Sequence, residues 1–513
     1  VAQRAGRTLV IGLELGDGRL IEKWAHAGHL PTLARLRSAG TFGRLESIAG
    51  LLHVAVWPSI YTGTSPGQHG VYFTFQPAPG LQGYQRFHQG LYGRPTFWGL
   101  LGAAGARCTV LDAPYTQLEE GFSGCQVVDW GTWAHYLGPT STPAALLPEL
   151  RRACGDYPLG LEANDIGFMP ISADNMHRRL VGAVRAKAEA ARWLMRQREW
   201  DLFFTVFDET HPAAHYCWSP ADAADGGGAS RLREIYREID QGIGALVEEA
   251  GPGASVFVIS GDAVGPNRTN WYLLPEILGR LGVFASADAT PPQTGSSEQP
   301  GRARRDPIKV IRDLLPQDLR KALARRLPTR LRDSLARRVD TAAIDWSRTR
   351  AYCLPTDLEG CIRINLAGRE PAGVVQPGAE YEALCNELAA ALAELVEPAS
   401  ARPVVRQVLR ADQAFAGPRR PYLPDLVVVW APDAATGEVA SPRIGTVALP
   451  SPDPRPGTHT DPGFLLACGP EIAAGGALEG GDILDIAPTI LARHGVGRPE
   501  HMEGRVLPQL AMA

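Results

Sequence analysis

The 513-residue chain predicts an α/β fold, a mostly parallel sheet sandwiched by helices. Three observations predict it. Short apolar runs bounded by turn residues recur along the chain. Segments with helical spacing fall between them. Runs such as "LFFTVF" and "SVFVIS" are continuously apolar rather than alternating, as expected of strands covered on both faces. A hydrophobic fraction of 45% and a charged fraction of 21% are ordinary for a globular protein, so nothing in the bulk composition opposes this class.

In order, "TLVIGLE" (8–14) is the first predicted strand. Residues 20–40, "LIEKWAHAGHLPTLARLRSAG", follow with helical spacing and a glycine stop. "RCTVLDAP", "DLFFTVFDE", "SVFVISGD", "DLVVVWAP" and "GFLLACGP" are further short runs. Segments 177–199 and 229–250 read as amphipathic helices. Residues 1–284 therefore form the first part of an α/β core. Residues 285–344 interrupt it. Their first stretch, 285–305, is rich in Pro, Ser, Gly and Gln and reads as a flexible connection. Residues 306–338 are basic and helical in pattern; aspartates break the charge run, which favours a solvated insertion over a lid or an anionic-surface contact. A smaller α+β unit spans 345–430, with "TRAYCLP", "GCIRINLAGRE", a helix at 379–395 and "DLVVVWAP". Residues 431–513 return to the core.

The 51 basic and 55 acidic residues give a net charge of −4, which offers no reason to expect nucleic acid as a partner. No stretch approaches the ~20 apolar residues of a membrane span. The opening "VAQRAGRTLVIGLELGDG" lacks a long apolar region and a small-residue cleavage site, so the expected setting is cytoplasmic. Eight cysteines lie scattered without CxxC spacing and read as reduced, mostly buried thiols. Cys217, two residues after His215, is the one to watch.

In open α/β sheets ligands bind beyond the carboxyl ends of the strands. Glu14 ends the first predicted strand. His211 and His215 follow "DLFFTVFDET", and Asp262 follows "SVFVIS". His459 lies in "RPGTHTDPG", and His53 in the loop-to-helix segment after "LESIAG". The sharpest local signal is "HPAAH". On a helix, four-residue spacing puts both imidazoles on one face, and Pro212 suits the first helical position. Alone, such a pair is more simply two surface histidines. With His459 and the strand-end carboxylates it becomes a candidate metal site.

Several blocks resemble the alkaline phosphatase superfamily, in its type I phosphodiesterase/nucleotide pyrophosphatase-like branch. They are "VIGLELGDGRLIEKWAHAGHLPTLARLRSAGTFGRL", "VAVWPSIYTGTSPGQHGVY", "WDLFFTVFDETHPAAHYCW", "AIDWSRTRAY", "INLAGREPAGVV" and "GTHTDPGFLLACGPEI…DILDIAPTILARHGV…MEGRVL". The resemblance implies an alkaline phosphatase-like sheet with two divalent metals at the strand ends. It also implies a Ser/Thr nucleophile that forms a covalent intermediate. The chain departs from that pattern at most chemical positions. Glu14 stands for the first-strand Asp. His53 stands for the nucleophile, counted back from Trp57. His211-x-x-x-His215 replaces D-x-x-x-H, and Ser260-Gly261-Asp262-Ala263 replaces S-D-H-G. His215 and His459 match.

The replacements Glu14, His53, His211 and Asp262 are all competent ligands. One expected site is His211, His215 and His459, suited to zinc first, with iron, manganese, copper or cobalt as alternatives. The other is Glu14, His53 and Asp262, which would hold a second cation or orient substrate and shuttle protons. His53 has three readings: nucleophile, metal ligand or acid/base, and inert residue. The second is preferred. The leading function is hydrolysis of a phospho-, phosphono- or sulfo-ester, a small anionic molecule, by metal-activated water in place of the Ser/Thr nucleophile. The alternatives are a non-hydrolytic lyase or oxidase/oxygenase on the same scaffold, in secondary metabolism, and a binding protein without turnover.

Overall fold

The computed structural model describes residues 6–77, 84–86, 92–122, 124–132, 134–135, 138–159, 161–162, 172–224, 230–287 and 344–511. A ten-stranded sheet runs through it. Its order is Gly476–Ala477, Gly40–Glu46, Gly463–Cys468, Ser255–Ser260, Thr8–Leu13, Leu202–Phe207, Cys108–Leu111, Gly124–Val128 and Thr140–Thr142, with Gly481–Asp482 also pairing Gly40–Glu46. Thr8–Leu13 is central and pairs in parallel with Leu202–Phe207 and Ser255–Ser260. Gly463–Cys468 runs antiparallel to both its neighbours. The sheet is thus mostly parallel, as expected.

Alternation along each strand builds two cores. Leu9, Ile11 and Leu13 join one apolar cluster while Val10 joins the other; Phe203 and Phe207 go with the first, Phe204 and Val206 with the second. The first face is covered by helices Ala173–Gln197 and Arg231–Ala250, each with a serine at its N-cap, Ser172 and Ser230, accepting from a backbone N–H. The other face receives helices Val56–Thr62, Phe97–Ala103 and Ile486–Arg493. The helical run expected over 20–40 divides into Gly18–His26 and Pro31–Ser38. Gly28 adopts φ +78° between them, and Pro31 opens the second helix. Among the described residues no helix is long and apolar enough to cross a membrane.

The smaller unit carries an antiparallel sheet in the order Ala351–Cys353, Gly360–Ile364, Leu426–Trp430 and Val405–Arg410, with helix Ala379–Ala393 on it. Its core also takes Leu273, Leu274, Ile277 and Leu278, and on the other side Val439 and Val447. The packing therefore reaches beyond 345–430 at both ends, because helix Leu274–Arg280 has its apolar side on this sheet. The flexible connection and basic helix expected over 285–338 lie, except for residues 285–287, outside the described residues.

The two units meet over the segment that carries His53. Leu52, Ala55 and Tyr72 pack with Leu354, Cys361, Phe415 and Val427 of the smaller unit. Behind them Gly12 admits the Trp57 ring: a Cβ at Gly12 would lie 2.5 Å from Trp57 Cη2. The helix Val56–Thr62 is thereby pressed onto the central strand.

Candidate metal and active site

Parallel neighbours bring their carboxyl ends together. Glu14 directly follows Thr8–Leu13, Asp208 directly follows Leu202–Phe207, and Asp262 comes two residues after Ser255–Ser260. Helix Thr210–Cys217 starts at this edge, so Pro212 is its third residue rather than its first, and His211 and His215 share a face. His459 comes from strand Gly457–Thr460, where it pairs opposite Val264.

The structure brings His211, His215 and His459 together. His211 Nε2 lies 2.9 Å from His215 Nε2 and 3.2 Å from His459 Nε2. The other nitrogens fix the tautomers. His215 Nδ1 lies 2.8 Å from the Gly457 carbonyl, which only accepts, so Nδ1 carries the proton and Nε2 the lone pair. His459 Nδ1 lies 2.7 Å from Asp262 Oδ2 and donates to it, which leaves its Nε2 lone pair pointing inward as well. A proton on His211 Nε2 can serve one of these lone pairs but not both. A cation serves all three, and tetrahedral zinc–nitrogen bonds would set the nitrogens about 3.3 Å apart. Burial, reinforced by neighbouring positive groups, holds all three imidazoles well below their ordinary pKa, so they are neutral and available as ligands.

The expected trio Glu14, His53 and Asp262 does not assemble as one cluster. Glu14 instead groups with Asp208 and His211; its Oε1 lies 3.6 Å from His211 Nδ1. Burial, then the Asp208 carboxylate, pushes its pKa up. Asp262 is committed to His459 on one oxygen and accepts from the Leu15 N–H on the other at 2.8 Å. Burial raises it to about 7 against the hydrogen bonds from the Ser260 hydroxyl and the Leu15 N–H. His53 faces the smaller unit. Its Nδ1 lies 3.1 Å from Glu359 Oε2 and its Nε2 3.3 Å from Asp357 Oδ1, while its own N–H donates to Glu359 Oε1 at 3.0 Å. Burial opposes a charge there, but Glu359 and Asp357 outweigh it and push His53 up to about 10. Its ring stands 4.7 Å from that of His459, centroid to centroid. The physical reason for the difference is that the second unit supplies two carboxylates that claim both ring nitrogens.

Asp208, Asp357, Glu359 and Arg455 belong to this neighbourhood and were not singled out in the sequence. Asp208 carried a usable signal, since it ends a predicted strand. Arg455 bridges Asp453 at 2.8 Å and Asp357 at 3.4 Å. Beneath the site, buried Lys187 pairs with Asp112 at 2.9 Å. Cys217 stays out of the chemistry: it is buried, its thiol is pushed up to about 12, and its Sγ contacts Ala173 O. All eight cysteines are free. Ser59 and Thr62 have packing roles, bonded to His69 and to Pro58 O and Thr64.

A family model for type I phosphodiesterase / nucleotide pyrophosphatase matches residues 8–282. None of the curated proteins matches the chain. Among solved structures, phosphonoacetate hydrolase from Sinorhizobium meliloti 1021 in complex with phosphonoformate is similar, at 13% identity and a TM-score of 0.51, with 94% of each chain covered. Murine ectonucleotide pyrophosphatase/phosphodiesterase 5 in complex with AMP is similar at 11% identity and a TM-score of 0.50, covering 97% of this chain and 96% of that one. At these identities the likeness is one of fold.

Proposed function

As the chain belongs to the type I phosphodiesterase/nucleotide pyrophosphatase family of the alkaline phosphatase superfamily, and is thus an enzyme of the hydrolase type, we propose that it hydrolyses a phosphate, phosphonate or sulfate ester by direct attack of water, without a covalent intermediate on the protein. One observation carries this reading: three neutral imidazoles converge where the family pattern has ligands, while the residue at the nucleophile position has both ring nitrogens facing carboxylates.

The three Nε2 atoms fit a divalent cation, zinc first, with iron, manganese, copper or cobalt as alternatives. When bound there, it supplies Lewis acidity to the ester oxygen and to the attacking water. The protein's own groups do the rest. Asp262 holds His459 in the ligating tautomer. His53 is the acid/base group of the centre, kept by Glu359 and Asp357 beside His459; its Nε2–H, in the longer of the two contacts at 3.3 Å from Asp357, is the proton it would turn to a departing oxygen. Glu14, with Asp208 and His211, is the place for a second cation or a stored proton. The substrate is a small anion. A cytoplasmic setting agrees with eight free thiols.

A second reading keeps the same metal site and gives it non-hydrolytic chemistry, as a lyase or oxidase/oxygenase in secondary metabolism. The all-imidazole ligand set favours it, because losing the carboxylate of D-x-x-x-H changes the metal's preference among oxidation states. The deciding experiment combines elemental analysis of purified protein with assays on an activated aryl phosphodiester. Metal-dependent hydrolysis that disappears in His215→Ala supports the first reading. Turnover only with oxygen and a reductant, with every ester inert, replaces it by the second.

A further inference from the structure

We propose that the seam between the two units binds a carboxylate carried on the organic group of the substrate, with Arg268 and Arg406 as its cationic partners; the inference rests on the hydrolase reading above. A cavity of about 100 Å³ lies at this seam and reaches His459. Arg268 lines it from the core and Arg406 from the smaller unit, with Leu358 and Trp430 among its apolar walls. A mostly apolar hollow with a few converging polar groups is the usual form of a small-molecule site.

The two arginines differ from their neighbours. Arg363 pairs with Glu370, Arg369 with Asp425, Arg410 with Asp412 and Arg455 with Asp453. Among the described residues neither Arg268 nor Arg406 has a carboxylate within 4.0 Å. Both are exposed toward the cavity rim. The acidic groups lining the same space are already engaged. Asp461 Oδ1 accepts from the Gly50 N–H at 3.1 Å, and Glu359 is tied to His53. With Glu359 turned to His53, Asp461, which feels the Arg406 charge, is the one other lining carboxylate set against the two guanidiniums. A guanidinium matches a carboxylate in a planar, two-point contact, which an ammonium group cannot do.

The geometry divides the substrate. The reacting phosphorus or sulfur belongs at the imidazoles, and the cavity beginning at His459 takes the other end. Its size suits a short stem, which rests on Leu358 and Trp430 and places a terminal acid between one arginine from each unit. Such a ligand would also hold the two units together at the seam.

The test uses two diesters, 4-nitrophenyl 2-carboxyethyl phosphate and its 2-carbamoylethyl isostere, which differ only in the terminal charge. Wild-type protein is expected to favour the acid by about tenfold in kcat/KM, the worth of one charge-assisted contact. The ratio should fall toward one in Arg406→Gln and in Arg268→Gln. It should persist in Arg443→Gln, a surface control whose partner is Glu394. A wild-type ratio near one, or a ratio unmoved by both cavity variants, overturns the inference while leaving the hydrolase reading intact. If neither diester turns over, the hydrolase reading fails, and calorimetry on the metal-loaded protein decides the site. There 3-phosphonopropanoate should bind about tenfold more tightly than its amide, a preference lost in Arg406→Gln. Equal binding of the two overturns the inference.

Discussion

His459 Nδ1 lies 2.7 Å from Asp262 Oδ2, and this pair joins two elements 197 residues apart, the turn after one central strand and the strand that delivers the imidazole. The carboxylate accepts the ring proton, so the opposite nitrogen is the one turned toward His211. Removing the acceptor frees the ring to choose the other tautomer. Asp262→Asn should therefore weaken divalent-metal affinity by roughly 10–100-fold with the fold retained, as loss of such a supporting group does. Competition against a chromophoric chelator measures it, alongside circular dichroism. Unchanged affinity would remove Asp262 from the role assigned to it.

The imidazoles themselves carry the larger effect. His211 is the shared neighbour of His215 and His459, so His211→Ala leaves two nitrogens with no third donor between them. Elemental analysis should find about one cation per wild-type chain at this site and none retained after dialysis of His211→Ala or His215→Ala. In a crystal of the zinc-loaded protein, anomalous density should sit about 2.0–2.1 Å from the three Nε2 atoms. Density elsewhere, or none, would refute the site.

A separate and simpler acid sensitivity is expected from His69. Its Nδ1 accepts from the Val71 N–H at 3.1 Å, so the proton sits on Nε2 and donates to Ser59 Oγ at 3.0 Å. Burial lowers its pKa from 6.5 to about 3. The sign follows from linkage. Above pH 6.5 neither folded nor unfolded chain binds the proton, and the full stability is present. Between pH 6.5 and about 3 only the unfolded chain binds it, so stability falls as the pH falls, by up to about 1.4 kcal/mol per unit. His69→Gln should flatten this part of the stability profile in urea titrations at a series of pH values. An unchanged slope would show that His69 is not the group responsible.

Much of this arrangement is legible in the sequence because each part has a local cause. Continuous apolar runs mark the doubly covered strands, and "HPAAH" becomes a ligand pair once it is placed after one of them. The division at Gly28 and Pro31 is missed by the helical spacing over 20–40, although a glycine and a proline three residues apart are able to break a helix. The limits of the second unit were not legible either. Leu274 and Ile277 have an ordinary amphipathic pattern that says nothing about which sheet they cover. The partners of His53 were hidden for a similar reason. Glu359 is 306 residues away, just before strand Gly360–Ile364 of the smaller unit, and "PTDLEGC" has no spacing that points to a histidine elsewhere. A strand end announces where a side chain lies. It does not announce which unit will fold over it.

The position of Gly261 decides whether the centre can be turned back into one with a hydroxyl nucleophile. In the S-D-H-G pattern that the resemblance implies, that position holds an aspartate. Here a Cβ on Gly261 would lie 2.1 Å from Val56 Cγ1 and 3.1 Å from Ile60 Cδ1, both on the helix that follows His53. This helix occupies the space that a side chain at Gly261 would need. His53→Ser alone should therefore yield no large gain in phosphatase activity. It restores a hydroxyl without the carboxylate, and it leaves Glu359 and Asp357 facing each other with no imidazole between them. Adding Gly261→Asp should make matters worse, by about 1–3 kcal/mol of overpacking before the burial of a new charge is counted. Adding Val56→Ala to that pair should recover much of the lost stability, because it removes the closest clashing atom. Thermal unfolding of the single, double and triple variants measures the order, and aryl phosphate hydrolysis measures the activity. A large gain in His53→Ser alone, or a phosphohistidine trapped on wild-type His53 under a mildly alkaline quench, would overturn the account of His53 as a residue that does not attack.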